Sequence, residues 1–280
     1  MEKKNKDQFV IAHLTDPQHT DEVLAYSIHL AERLRKGLLL LHINDSRYPT
    51  LVTDPEAFLK DLQQSAQQQN PQIPVSYAAL KGRSPEVIET LPTLLNGVVA
   101  VTAASLEAGR KSPLHTKNIL KDYSNSKIAY LVVRVQQPFC PIKHVGLTVD
   151  FHRESKEKLI WSSYFSRFGA SQLHVIYHDY KDDGLRQKWY NNMRFLHKFY
   201  TNLGLTFTPH IVPQKSAAVD ADALPFMAES QYDLLVAVTT KEKDILDSIL
   251  GTQEQRTIRN SQNLPILFLN PRDDIYVLCD

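Results

Sequence analysis

The residues best suited to ligand chemistry lie near the C-terminus, in the stretch YDLLVAVTTKEKDILDSILGTQEQ. A buried strand, a polar loop and then Gly251-Thr252 at a helix start form the layout of a phosphate-binding unit, in which backbone N–H groups and a helix N-terminus hold the anion. The loop TTKEKD contains no glycine, so its side chains would obstruct the close approach of a phosphate to the backbone. Thr252 also has a plain structural explanation, because a threonine at a helix start forms local hydrogen bonds.

Two aspartates mark a second kind of ligand position, the carboxyl end of a strand. Asp16 ends the run FVIAHLTD, and Asp150 ends the run KHVGLTVD. Open α/β sheets bind ligands in the crevice at this edge, so both carboxylates are candidate ligand-binding groups. An aspartate after a strand equally caps the next helix or starts a turn. Both interpretations stay open for both residues.

Patterns typical of catalytic and metal sites are missing from the sequence. There is no Gly-x-Ser-x-Gly elbow, no His-Glu-x-x-His and no complete Walker loop. His174 and His178 are four residues apart on a predicted strand, which separates them by about 13 Å, too far to share a metal. Cys140 and Cys279 are too few for a cysteine zinc site or a disulfide framework. We therefore expect no catalytic residue, no metal and no enzymatic activity.

Composition excludes several classes of partner. The 280 residues carry a formal net charge of +1, with no global excess of basic residues for nucleic acid or an acidic membrane. The N-terminal MEKKNK lacks the apolar run of a signal peptide, and the longest apolar runs are strand-sized. We expect a protein of the reducing cytoplasm, with no nucleic-acid or membrane partner.

An internal repeat organises the chain. Strands and helices alternate through each half in the same order, and the step from Asp16 to Asp150 gives a period of 134 residues (150 − 16). Such alternation predicts an α/β fold of two tandem doubly wound domains, each a five-stranded parallel sheet flanked by helices. The proline-containing stretch 135–143 is the predicted linker, which divides the chain into domains 1–137 and 138–280.

Helix boundaries are predicted from capping residues. Thr20 is the predicted N-cap of the first long helix, and Gly37 is its predicted stop. Pro113 is predicted to open the last helix of the first half.

The repeated pattern resembles that of the tandem universal stress proteins, over nearly the whole chain. The similar segments are the strand-end aspartates with polar helix starts (TDPQHTDEVLAYSIHLA and VDFHRESKEKLIWSSYFS), the second strands (LLLLHIN and SQLHVIYH), the glycine turn KGRSPEVIETL and the closing strand QNLPILFLN. The resemblance implies the adenine nucleotide alpha hydrolase-like fold in each domain.

The family's ATP motif is only partly present. ATP-binding members carry Gly, two residues, Gly, nine residues, then Gly-Ser or Gly-Thr. If Gly251-Thr252 is the closing pair, the two upstream glycines are replaced by Val238 and Lys241. In the first half Gly109 stands at no fitting position. The resemblance thus implies a degenerate nucleotide site and no resident cofactor, with ATP as the less favoured option.

Two functions remain as hypotheses. The first is a non-catalytic stress-response or regulatory protein that acts through protein partners and possible self-association, to which the C-terminal RDDIYVLCD could contribute. The second is a small-molecule or nucleotide (ATP or AMP) binding module, with weak ATPase activity at most. Its ligand would lie in the second-domain crevice near Asp150, Gly251 and Thr252.

Overall fold

The structure is a computed structural model, and it describes residues 8–216, 218–240 and 252–271. The chain divides into two compact units, Met1–Phe139 and Cys140–Asp280. The predicted linker, 135–143, spans this division. Gly251 and the C-terminal stretch 272–280, both named in the sequence predictions, lie outside the described residues.

Unit 1 contains a parallel sheet of five strands in the order β3-β2-β1-β4-β5. The strands are β1 (Phe9–His13), β2 (Gly37–Asn44), β3 (Val75–Lys81), β4 (Gly97–Ala104) and β5 (Ala129–Arg134). The helices are α1 (Asp21–Leu34), α2 (Pro55–Gln69), α3 (Ser84–Leu94) and α4 (Thr116–Asp122). The order reverses between β1 and β4, which is the switch point where doubly wound sheets open a crevice.

Unit 2 repeats the arrangement in the order β10-β9-β6-β7-β8, again with parallel pairing. The strands are β6 (His144–Thr148), β7 (Gln172–His178), β8 (Thr208–Val212), β9 (Leu234–Val238) and β10 (Ile266–Leu269). The helices are α5 (Ser155–Gly169), α6 (Asp183–Asn202), α7 (Val219–Glu229) and α8 (Gln253–Asn260). The prediction of two five-stranded parallel sheets flanked by helices is confirmed.

Apolar runs in the central strands form the core of each unit. The burial pattern of β2 is nearly continuous, as expected of a strand covered on both faces of a parallel sheet. Close packing also explains a glycine in β6: a Cβ on Gly146 would lie 2.3 Å from Cε of Met227 in α7. The missing side chain therefore leaves room for the end of the Met227 side chain against the sheet.

Two helix boundaries differ from the predictions. Helix α1 ends at Leu34 and not at Gly37, because Arg35 takes the left-handed conformation (φ 54°) and Lys36 N–H donates to Ala31 O at 2.9 Å. A C-terminal motif of this kind needs one left-handed residue, which is here an arginine. Gly37 instead begins β2.

The predicted start of α4 was also too early. The helix begins at Thr116, since the side chain of His115 caps it by accepting a hydrogen bond from Lys117 N–H at 3.2 Å. Pro113 lies in the preceding turn. Thr20 does occupy the N-cap position of α1, but its side chain makes no capping hydrogen bond.

Among the described residues, no helix is both long enough and apolar enough to cross a membrane.

Candidate functional site

In unit 1 the crevice edge is occupied by an aspartate that follows β2. Asp45 accepts a hydrogen bond from the backbone N–H of Ser84 at 2.6 Å. Ser84 is the first residue of α3, so its N–H is one of the groups that a helix N-terminus offers to an anion. The carboxylate of the chain itself therefore takes the position that a bound anion would use.

An arginine holds two carboxylates together at this edge. Arg47 donates to Asp45 Oδ2 at 2.5 Å and to Asp122 Oδ1 at 2.9 Å, and Tyr48 donates its hydroxyl to Asp122 Oδ2 at 2.9 Å. The side chains of Asp45 and Asp122 are only 1% and 4% exposed. Buried charges persist only when paired, so this cluster is a single interdependent unit.

The two carboxylates respond to the arginine differently. Burial alone would raise the pKa of Asp45, but the hydrogen bonds from Arg47 and from Ser84 outweigh it and hold the pKa well below its usual range. Burial raises the pKa of Asp122, and the hydrogen bonds from Arg47 and Tyr48 only partly oppose it. Arg47 makes three of its side-chain hydrogen bonds to Asp45 and one to Asp122, so both carboxylates compete with any phosphate for it.

The cavity that remains at this edge is small. A water-sized molecule could occupy about 30 Å³ of it, which is enough for ordered water. The lining includes the polar side chains just described together with His13 and Thr15 of the β1 end. Burial and the neighbouring His42 lower the pKa of His13 to about 3, so His13 is neutral at physiological pH.

In unit 2 the predicted ligand residue Asp150 follows β6. Its Oδ1 accepts a hydrogen bond from His152 N–H at 2.9 Å and one from the Ser155 hydroxyl at 2.5 Å. Ser155 begins α5, so the carboxylate organises the turn that leads into this helix. Asn192 of α6 fixes the same turn by donating to Asp150 O and His152 O, both at 2.8 Å.

A second polar group lies at the same edge of unit 2. Lys158 donates to Thr148 Oγ1 at 2.7 Å, the Thr148 hydroxyl donates to Asp220, and Lys158 Nζ lies 3.9 Å from Asp220 Oδ1. All three residues are buried. The lysine, which could have bound a phosphate, is thus neutralised within the unit.

One described residue of the predicted phosphate loop of unit 2, Thr240, is held by a glutamate. Thr240, two residues after the end of β9, donates both its backbone N–H and its hydroxyl to Glu254 Oε1, each at 2.7 Å. Glu254 lies in the first turn of α8 and is buried. Its carboxylate therefore accepts both donors of Thr240, the last described residue of the loop.

The other two described site candidates also make local contacts. Thr252 is the N-cap of α8 and forms a reciprocal capping box with Gln255. Asp16 accepts a hydrogen bond from Gln18 N–H at 2.9 Å and caps the short turn Pro17–His19. Asp16, Asp150 and Thr252 thus each stabilise a turn or a helix start.

Histidines cluster at a place that the sequence did not suggest. His144 Nδ1 lies 3.2 Å from His174 Nε2, and His174 Nδ1 lies 3.2 Å from His210 Nε2, across β6, β7 and β8. Neighbouring ring centroids lie 5.4 Å apart, with the ring planes inclined by 43° in the first pair and 29° in the second. In the described part of the chain, no group of three or more His, Cys, Asp or Glu side chains could hold a metal ion.

Sequence reasoning missed the two carboxylates that matter most for ligand access, Asp45 and Glu254. A signal existed for Asp45, which follows a buried strand in HINDSR just as Asp16 and Asp150 follow theirs. Glu254 carried no signal beyond its closeness to Thr252.

Solved structures with the same fold were found, whereas no protein-family model and no curated protein matches the sequence. A candidate universal stress protein from Pseudomonas aeruginosa UCBPP-PA14 has a TM-score of 0.68 at 15% identity, covering 98% of this chain and 96% of that one. A universal stress protein from Archaeoglobus fulgidus DSM 4304 has a TM-score of 0.66 at 14% identity, covering 95% and 100%.

The same fold occurs outside free-standing stress proteins. The cytoplasmic domain of a prokaryotic cation chloride cotransporter has a TM-score of 0.57 at 12% identity, covering 94% of this chain and 95% of that domain. Similarity at these identities defines the fold, so this chain has the fold of the universal stress proteins, once in each unit. The resemblance inferred from the sequence is confirmed at that level.

Proposed function

We propose that this chain is a non-catalytic stress-response or regulatory protein of universal stress type that acts through protein association and holds no resident nucleotide. The observation that carries the proposal is that, in each unit, a carboxylate of the chain accepts a described backbone N–H at a helix start or in the loop after a strand. Asp45 accepts from the N-terminal N–H of α3, and Glu254 accepts from the loop N–H after β9. A phosphate would have to displace a carboxylate in either unit and would be repelled by it.

Association is supported by the fold's use elsewhere. A protein of this fold serves as the cytoplasmic domain of a cotransporter, where it is one part of a larger protein. The proposal places this chain in the cytoplasm, with protein partners and without nucleic-acid or membrane contacts. A catalytic role has little support, because the buried or half-buried cations at the two crevices, Arg47 and Lys158, already donate to side chains of the chain.

The alternative, a small-molecule site in unit 2, is favoured by two buried polar side chains. Nδ1 of His178 and the hydroxyl of Tyr180 have no hydrogen-bond partner within the described residues. Asp222 Oδ2 lies 2.9 Å from His178 Nε2, but outside hydrogen-bond geometry. Burial raises the pKa of the Tyr180 hydroxyl, and the nearby carboxylate of Asp150 raises it further. Acidic surroundings favour a neutral ligand over a nucleotide.

The test is calorimetric titration of ATP, with and without Mg²⁺, into the reduced full chain and into Asp150→Ala. The proposal predicts no saturable heat up to millimolar ATP. Saturable binding in the micromolar range that is lost in Asp150→Ala would overturn it. A parallel titration with adenosine tests the alternative, which predicts binding of the nucleoside without binding of ATP.

A further inference from the structure

The outer edge of unit 1 is formed by β3, which in the described part of the chain pairs only with β2. The hydrogen bond from Leu38 N–H to Pro74 O, at 2.9 Å, fixes which backbone groups face β2. In a parallel ladder these groups alternate along the strand. Val75, Tyr77 and Ala79 therefore turn their N–H and C=O groups outward, away from the sheet.

The outward backbone groups of Val75, the first residue of β3, form hydrogen bonds within the unit. Gln63 of α2 donates to Val75 O at 2.6 Å, and Val75 N–H donates to Gln67 Oε1 at 3.2 Å. These two amides act in place of a neighbouring strand at the start of β3. Among the described residues, no hydrogen bond reaches the outward groups of Tyr77 and Ala79.

The corresponding edge of unit 2 is protected, whereas the edge of unit 1 is not. Strand β8 contains Pro209, which has no N–H to donate, and Pro213 follows the strand directly. Prolines at sheet edges block pairing with another chain. Strand β3 contains no proline, and its single charged residue is Lys81 at its end.

The helix beside the β3 edge also lacks the charges that usually prevent association. Helix α2 packs against β3. The stretch LQQSAQQQN, residues 62–70, has no charged residue, although charged residues make up 22% of the chain. Interfaces are depleted of charge relative to the rest of a protein surface. Both elements at this edge are therefore compatible with a self-complementary contact.

We propose that β3 pairs antiparallel with β3 of a second copy of this chain, about a two-fold axis through Ala78. In this register Tyr77 lies opposite Ala79 of the second copy, and each such pair exchanges two N–H···O=C hydrogen bonds. The pairing uses the outward groups that remain free and stops at Val75, which the glutamines already satisfy.

Side chains fit the same register. Ala78 meets its own copy at the axis, where opposite residues approach most closely and a small side chain is favoured. Lys81 lies opposite the uncharged Val75, so no like charges face each other across the pair. A symmetric contact of this kind closes as a dimer.

This inference rests on the association role proposed above and adds a partner and a surface to it. The test is sedimentation velocity of the full chain over a wide concentration range. The wild-type protein should show a concentration-dependent species of twice the 32.0 kDa chain mass. Ala79→Pro removes only an outward N–H and should weaken the dimer by about tenfold or more, since two symmetry-related hydrogen bonds are lost.

Two further variants guard against misfolding and non-specific effects. Ala79→Lys places a charge beside the axis and should also give a monomer. Ile211→Lys adds the same charge at the β8 edge, where Ile211 is 63% exposed, and should dimerise like the wild type. Circular dichroism and thermal unfolding confirm that each variant is folded.

A covalent test uses Ala78→Cys with Cys140 and Cys279 replaced by serine, which should form an interchain disulfide on mild oxidation. A protein that is monomeric at every concentration, or a dimer unaffected by Ala79→Pro and Ala79→Lys, overturns the proposal. The outcome is separable from the nucleotide question, because micromolar ATP binding would overturn the proposed function without altering the dimer result.

Discussion

Thr240, two residues after strand β9, donates its backbone N–H and its hydroxyl to one oxygen of Glu254, each at a distance of 2.7 Å. Unit 1 contains the same kind of relationship, since Ser84 N–H donates to Asp45 at 2.6 Å. The two contacts involve different elements, a strand-end loop in one unit and a helix start in the other. In each unit an internal carboxylate thus accepts a backbone N–H that an anion could otherwise bind.

Removing the arginine of unit 1 should destabilise the protein strongly. Arg47→Ala leaves the Asp122 carboxylate, whose side chain is 4% exposed, with the Tyr48 hydroxyl as its one side-chain hydrogen-bond donor among the described residues. Breaking one partner of a buried ion pair costs about 3–5 kcal/mol, and the 25% exposure of Arg47 places the loss at the lower end. Urea unfolding of the variant measures it.

A matched control for this prediction is Arg83→Ala. Arg83 pairs with Glu86 at 3.3 Å on the surface, where both side chains are more than half exposed. Such pairs contribute about 0–1 kcal/mol. Equal losses in the two arginine variants would contradict the assignment of Arg47 to a buried cluster.

Packing of α7 on the second sheet should depend on Gly146. A methyl group there would lie 2.3 Å from Met227 Cε and 3.1 Å from its Sδ, so Met227 must move. We expect Gly146→Ala to lower the free energy of unfolding by about 1–3 kcal/mol. Thermal denaturation checks this against Gly109→Ala, since a Cβ on Gly109 has no neighbour within 4 Å. A neutral Gly146→Ala would show that α7 does not need this close approach.

Acid should destabilise the protein through its neutral histidines. Burial, together with His210 and His144, lowers the pKa of His174 to about 4, below its ordinary value of 6.5. A histidine whose pKa is lower in the folded state than in the unfolded state stabilises the fold fully at a pH above its unfolded-state pKa. This stabilisation is lost as the pH falls below that value towards the folded-state pKa. Near pH 5 each such histidine adds about 1.4 kcal/mol per pH unit to the slope of unfolding free energy against pH.

The variant His174→Gln should reduce that slope by the contribution of one histidine. Urea unfolding at pH 7, 6 and 5 provides the measurement, and His152→Gln, at an exposed position, is the control. An unchanged slope in His174→Gln would mean that the row of histidines takes up protons in the folded state.

The fold could be predicted because its signals are local and occur twice. Apolar runs such as β2 and the strand-end aspartates Asp16 and Asp150 mark one repeat in each half. Helix ends were harder, because a left-handed residue is not always glycine: Arg35 ends α1, and Gly37 was chosen wrongly. Tertiary contacts, which sequence propensity does not record, set such boundaries.

The site was less predictable because its contacts join distant parts of the chain. Arg47 and Asp122 are 75 positions apart, and nothing in the sequence near either residue points to the other. The state of the β3 edge could not be predicted either, because the hydrogen bond from Gln63 to Val75 O depends on how α2 packs against β3. The absence of glycine from the loop TTKEKD, by contrast, is visible in the sequence itself.

The most direct test of the central claim follows the backbone amides of Ser84 and Thr240 by two-dimensional ¹H–¹⁵N NMR while ATP and Mg²⁺ are added to the full chain. If Asp45 and Glu254 hold these N–H groups, neither signal should move up to millimolar ATP. Glu254→Gln serves as the comparison, because it keeps an acceptor for Thr240 and removes the charge. Saturable shifts of either amide in the wild-type protein at micromolar ATP would contradict the claim.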